Sequence, residues 1–218
     1  MNVGKAPLRI LVFVRAPVPG QVKTRLAAAI GPEAAAALYR RMAMRCIDAA
    51  CAAAPGQVEL WCAPDASHEF FRSLEAGRGL SLHVQSAGDI GERMAHALQS
   101  ALDRAESALL MGSDVPSISE DMLREAAAAL QSGSDAVLCP AADGGYGLIG
   151  LRRFDASVFA GIEWSTAAVT RETRKRFDAL NWRSTRIDGC WDVDEPEDLA
   201  RLSRLHGFED LLRHPKLC

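Results

Sequence analysis

At 218 residues, with 49% hydrophobic and 24% charged residues, the chain has the make-up of one sizeable globular domain, expected to span residues 1–218. Its formal net charge of -3 excludes a general positive field for nucleic acid, so anion binding must come from a local cluster. Six dispersed cysteines, with neither C-x-x-C nor zinc-ligand spacing, read as reduced thiols. The apolar run at residues 8–14 is too short for a secretory core and nowhere do about 18 apolar residues run on, so a cytoplasmic protein without membrane contact is expected.

Residues 8–14, LRILVFV, are β-branched and almost continuously apolar, as in a strand buried on both faces of a parallel sheet. They predict the first, central strand. Residues 32–53 place Tyr39, Met42, Cys46 and Ile47 at helical spacing among alanines, ahead of Pro55-Gly56, and predict a long crossover helix. Strands are expected at 58–62 and 80–85, with a helix over 65–74 between them. A helix over 91–105 and a short strand at 108–111 follow. Next come a helix over 119–131 capped by Ser119 and a strand at 135–139. Beyond these, 147–151 and 182–187 are strand-like, while 166–177 and 195–205 are helical, with Ser165 or Thr166 as N-cap of the former. The alternation predicts an α/β fold of three layers, α/β/α, around a mostly parallel mixed sheet, without linker or repeat.

The polar motifs follow the strands, at the edge where α/β sheets bind ligands. In RAPVPGQVKTR (15–25), Gly20 permits backbone N–H groups to converge on an anion, and Lys23 and Arg25 supply charge suited to phosphate. A solvated turn at a helix start reads equally well, since the pattern is neither a Walker A loop nor G-x-G-x-x-G. The turn GSDVP (112–116) sets Asp114 at a strand end, suited to Mg²⁺ or Mn²⁺ beside a diphosphate. An Asp capping a turn is the plain alternative.

In DGGYG (143–147), Gly144 and Gly145 allow close approach by a sugar or phosphate, and Asp143 suits an acceptor hydroxyl; a hairpin turn explains the same residues. GDIGERM (88–94) opens a helix whose free N–H groups and Arg93 suit a phosphate, or is an ordinary helix start. In DVDEPED (192–198), Asp194 suits the same metal as Asp114, while acids also favour a helix N-terminus on dipole grounds. Trp164 suits the wall of a sugar site or the core. The five histidines show no metal or triad spacing and are given no role.

The ordered set R-A-P-x-P-G-x-V-K-T-R-L, Q-x3-D-I-G-E-R-M, G-S-D-x-P, D-G-G-Y-x-L-I-G-L, W-S-T and D-V-D-x-P-E-D-L, over about residues 9–202, resembles a family of bacterial GT-A-like proteins. Members are described as a domain of unknown function or as glycosyltransferases associated with radical-SAM proteins and arsenosugar biosynthesis. The family looks like a branch of the nucleotide-diphospho-sugar transferase fold, which includes guanylyltransferases. The resemblance implies phosphate binding by Gly20, Lys23 and Arg25 with Arg93 nearby. It implies metal binding by Asp114 with Asp194, and sugar or acceptor contacts from Asp143, Gly144, Gly145 and Trp164. The chain departs from the family's D-G-G-Y-Y at Gly147, and its Ser113-Asp114 is not the D-x-D of many GT-A enzymes.

These residues support a glycosyltransferase dependent on Mg²⁺ or Mn²⁺ that uses a nucleotide sugar and a small-molecule acceptor. Asp114, Lys23 and Asp143 are its expected catalytic residues. A nucleotidyltransferase needs the same loop and metal, and its usual second lysine has no obvious counterpart here. A non-catalytic nucleotide-binding module is the third reading. A homo-oligomer is compatible with all three.

Overall fold

The computed structural model describes residues 5–213. Among the described residues seven strands form one sheet in the order β3-β2-β1-β4-β6-β5-β7. They are β1 (Arg9–Arg15), β2 (Val58–Ala63), β3 (Ser81–Val84), β4 (Ala108–Gly112), β5 (Ala136–Pro140), β6 (Tyr146–Leu151) and β7 (Ser184–Arg186). β6 runs antiparallel to both neighbours, β4 and β5, and every other pairing is parallel.

Seven α-helices accompany the sheet: α1 (Thr24–Ile30), α2 (Pro32–Ala53), α3 (Glu69–Arg78), α4 (Ile90–Leu102), α5 (Glu120–Gln131), α6 (Val169–Ala179) and α7 (Asp198–Leu202). The pleat of β1 sorts the two faces. Ile10, Val12 and Val14 pack with Leu26, Met42, Ile47, Phe71, Leu123 and Leu202, so α1, α2, α3, α5 and α7 cover one side. Leu11 and Phe13 pack with Trp61, Leu98, Phe177 and Trp182, so α4 and α6 cover the other. The expected three-layer α/β/α architecture with its mixed, mostly parallel sheet is the one observed.

Local chemistry moves several boundaries. The expected helix over 65–74 begins only at Glu69, because the Asp65 carboxylate accepts from Ser67 N at 2.7 Å and Ser67 Oγ at 2.6 Å and holds a turn there. Neither Ser165 nor Thr166 caps α6. Ser165 is left-handed at φ 63, Thr166 Oγ1 donates to Glu163 O, and the N-cap position falls to Ala168. Trp182 lies outside β7, buried in a stack on Phe177 with ring centroids 5.8 Å apart. The last helix, 198–202, starts late because the Asp198 carboxylate accepts from the backbone N–H groups of Asp194 and Glu195 and holds a turn there. α1 was not expected at all: Gly31, at φ 88, breaks the alanine-rich stretch into two helices.

Candidate active site

β1 and β4 end side by side, with Phe13 opposite Gly112, and β6 begins at the same edge with Tyr146 opposite Pro140. The loops that leave these strand ends enclose a cleft of about 790 Å³. The loop after β1 is held from beneath. Val22 and Leu26 are buried in the core, and Tyr39 Oη, from α2, accepts from Arg15 N at 2.8 Å and lies 2.7 Å from Ser113 Oγ. Burial raises the Tyr39 phenol well above its ordinary value, so it is a permanent neutral strut between β1 and the turn after β4.

Lys23 is the centre of the cleft. It is left-handed at φ 47, a strained conformation for a residue with a side chain, and its side chain is only 6% exposed. Its ammonium donates to Asp114 Oδ2 at 2.8 Å and to Asp194 Oδ1 at 3.3 Å. Burial acts to lower the Lys23 pKa, but the two carboxylates outweigh it and raise it, so the ammonium stays charged. Arg25, largely exposed, donates to Asp194 Oδ2 and to Glu195 Oε1, each at 2.9 Å. Exposed pairs of this kind contribute about 1 kcal/mol or less, so the Arg25 guanidinium is free to exchange partners.

The other expected phosphate contacts divide. Arg93 lines the cleft, with its Nε donating to Gly88 O at 2.9 Å. The α4 N-terminus is closed in part by its own side chains. Asp89 Oδ1 accepts from Glu92 N and Glu92 Oε2 accepts from Asp89 N, both at 2.9 Å, so a capping box already takes up two of its donors. Gly20 adopts φ 77 on the outer turn of the loop and lies off the cleft lining, while Gln21, Val22 and Lys23 line it.

Beyond Asp114 the cleft opens into a second cavity of about 350 Å³ lined by Asp143, Gly145, Tyr146, Trp164 and Asp192. Asp143 is exposed, and its Oδ1 accepts from Gly145 N at 2.9 Å, an Asx turn facing the cavity. The two glycines have different causes. Gly144, at φ 90, presses on the backbone of Ala167, where a Cβ would overlap, so it is needed for docking the turn beneath α6 rather than for ligand approach. Gly145 lines the cavity itself.

Trp164 is half-buried against Gly91 of α4, with no room for a Cβ between them, and thereby joins the two sides of the cleft. Gly147, the departure from the family pattern, lies where any Cβ would strike Cys190 Sγ and Val115. The space beside its Cα is already filled.

Four residues in this region carried no expected role. Tyr39, Arg15, Gln85 and Asp192 all line the cleft or its extension. Asp192 was inside a quoted motif, and burial followed by repulsion from Asp114 raises its carboxyl above the ordinary range. Tyr39 was indistinguishable in sequence from a core residue of α2, while Arg15 and Gln85 were inside motifs that gave them no role.

Among the described residues no three His, Cys, Asp or Glu side chains group to hold a metal ion. The donor set nonetheless fits Mg²⁺ or Mn²⁺, which need one or two carboxylates, waters and substrate phosphate oxygens. Asp114 and Asp194 already converge on one cation, the Lys23 ammonium. The five cysteines among the described residues are free, and Cys218 and His214 lie outside them. No helix among the described residues is long and apolar enough to cross a membrane.

Residues 46–166 match the family model described as "Uncharacterized protein conserved in bacteria (DUF2064)". A crystal structure from Desulfovibrio desulfuricans G20, of a protein named as a nucleotide-diphospho-sugar transferase, is 32% identical with a TM-score of 0.81, and the match covers 97% of this chain and 93% of that one. Two more distant structures share the fold. CMP:2-keto-3-deoxy-manno-octonic acid synthetase complexed with CTP is 12% identical at a TM-score of 0.58, covering 94% of this chain and 100% of that one. Rv0371C of Mycobacterium tuberculosis H37Rv, complexed with manganese, is 21% identical at 0.52, covering 91% and 98%. No curated protein matches the chain in sequence. With the family model spanning more than half its length and a 32% identical structure covered almost throughout, the chain belongs to the bacterial family DUF2064 and is a transferase built on the nucleotide-diphospho-sugar transferase fold.

Proposed function

We propose that the protein is a cytoplasmic, metal-dependent glycosyltransferase that moves a sugar from a nucleoside-diphosphate donor to a small hydroxyl-bearing acceptor. The observation that carries this reading is the buried Lys23 ammonium held between Asp114 and Asp194, in a cleft that continues into a cavity lined by Asp143 and Trp164. Asp114 and Asp194 are the residues to hold Mg²⁺ or Mn²⁺, which when bound neutralises charge on the diphosphate. Lys23, released from the two carboxylates, and Arg25, released from Asp194 and Glu195, turn to the phosphate oxygens and stabilise the departing diphosphate. Arg93, which also lines the cleft, adds positive charge. Asp143 orients the acceptor hydroxyl for attack on the sugar C1, while Gly145 leaves room for it and Trp164 offers a flat apolar wall.

One feature of the cleft favours nucleotidyl transfer as a second reading. Arg93 lines it, which supplies the second cation near the phosphates that the lysine content alone does not. Product analysis separates the two. Purified protein with Mn²⁺ is incubated with nucleoside diphosphate sugars, and in parallel with nucleoside triphosphates, in the presence of an acceptor mixture. Release of nucleoside diphosphate from a sugar donor supports glycosyl transfer, and release of pyrophosphate from a triphosphate replaces it with nucleotidyl transfer. Neither release, together with no nucleotide-induced rise in melting temperature, rejects both.

A further inference from the structure

On the side away from Asp143 the cleft runs past Arg15 and Gln85 into a third cavity of about 460 Å³, walled by Ala16, Val22, Ala63 and Pro64. Its chemistry differs from the rest of the cleft. Arg15 and Arg93 line it and no Asp or Glu does, whereas Asp114, Asp143, Asp192 and Asp194 line the other two cavities. Its walls are small and apolar, suited to the faces of a flat heterocycle, so recognition falls to the polar groups around its rim.

Two of those groups are poised. Gln85 Nε2 donates to Trp61 O at 2.8 Å and Gln85 N donates to Cys62 O at 3.0 Å. Because Trp61 O can only accept, the carboxamide is oriented with its nitrogen on β2, and Oε1 is left as the acceptor for a ligand. The Arg15 backbone N–H is taken by Tyr39, but no hydrogen bond or ion pair among the described residues engages its guanidinium, a fork of donors. Arg15 and Gln85 thus offer paired donors beside an acceptor, with Gln21, Ser86 and Arg93 also lining the cavity.

The complement is a base edge with two adjacent acceptors next to an N–H donor. Guanine has it, with N7 and O6 beside N1–H and the amino group, and so does cytosine, with O2 and N3 beside its amino group. Adenine and uracil each set a donor between their acceptors, which breaks up the acceptor pair the guanidinium fork requires. We infer that Arg15 and Gln85 select the base of the nucleotide, admitting guanine and cytosine nucleotides and rejecting those of adenine and uracil. This rests on the reading that the phosphates lie at Lys23.

The test is calorimetric titration of the wild-type protein, Gln85→Leu and Arg15→Met with GDP, CDP, ADP, UDP and inorganic pyrophosphate, each with Mn²⁺. GDP or CDP should bind the wild type at least about tenfold tighter than ADP or UDP, equivalent to about 1.4 kcal/mol. The better of the two names the base. Each variant should reduce that ratio below about threefold while still binding pyrophosphate, which shows that it is folded and that its phosphate end is intact. ADP or UDP binding as tightly as the best nucleotide, or an undiminished ratio in Gln85→Leu, overturns the inference. Pyrophosphate binding with no base preference overturns it while leaving the proposed function standing, and failure of pyrophosphate and every nucleotide to bind overturns both.

Discussion

The two halves of the sheet supply opposite charges to one cleft. The parallel half, β3-β2-β1-β4, contributes the cations: Arg15 and Lys23 follow β1, Arg25 lies at the start of α1, and Arg93 belongs to α4. The half around the antiparallel β6 contributes carboxylates, with Asp143 after β5 and Asp192 and Asp194 after β7, while Asp114 stands on the boundary at the end of β4. The halves meet where Lys23 reaches Asp194 across 171 positions of sequence. Charges of the same sign on one wall would repel in a cleft of low dielectric. Drawing each sign from a different half lets Lys23 and Arg25 find carboxylate partners before the ligand arrives.

Removing the boundary acid should have the largest effect. Asp114→Ala is expected to lower turnover on the order of 10²–10³-fold and to abolish the Mn²⁺ signal change in spin-resonance titrations with nucleotide. Full Mn²⁺ affinity in that variant would remove Asp114 from the metal assignment.

The half around β6 can be loosened at Gly144. Gly144→Ala should cost about 3 kcal/mol in urea unfolding, because its Cβ meets the Ala167 backbone and its φ is 90. Gly20→Ala is the control. With φ 77 but nothing within 4 Å of the added carbon, it should cost only about 1 kcal/mol, and equal losses would mean that backbone conformation rather than docking sets the requirement.

The parallel half also holds a buried carboxylate remote from the cleft. Glu59, 3% exposed, accepts from Arg104 at 2.7 and 3.2 Å and lies 3.4 Å from His83 Nε2. Burial acts to raise its pKa, but Arg104, His83 and Arg9 outweigh it and leave it below the ordinary 4.5. The sign is that of a depressed acid: the stabilisation is complete above 4.5 and disappears as the pH falls through the lower folded value. Glu59→Gln should therefore cost about 2 kcal/mol at pH 7 and little at the acid end. A constant difference between the two proteins across that range in pH-dependent unfolding would sink the assignment.

The smallest effect concerns Lys23. Its ammonium occupies the place between Asp114 and Asp194 that a divalent ion must enter, so Lys23→Met should bind Mn²⁺ several-fold more tightly without nucleotide. It should also bind nucleoside diphosphate about tenfold more weakly. A loss of both affinities would show that Lys23 only braces the loop.

Much of the frame was legible from residue pattern. The apolar run of β1 and the alanine helix over 32–53 appear where periodicity put them, and Ser119 accepts from Met122 N as an N-cap should. The motif residues that reach the cleft were legible too, since loops after parallel strands gather at one edge whatever their separation in sequence. The failures share a physical form. Ser165 and Thr166 look like caps but lie between Trp164, which packs on Gly91, and Ala167, which packs on the Gly144 turn, and the α4 N-terminus looks open but closes in part on its own Glu92. In each case the local groups already had partners: distant ones around Ser165, and at α4 the Glu92 of a capping-box spacing present in the motif itself.

The sequence by itself determined which residues are apolar, where strands and helices alternate, and which loops carry charge, because these depend on neighbours within a few positions. Only the tertiary structure decided that Lys23 is buried between two acids, that Gly147 makes room for Cys190, and that Gln85 and Arg15 border one acid-free cavity. Those outcomes depend on which side chains from distant segments arrive at the same few ångströms, and packing rather than propensity settles that.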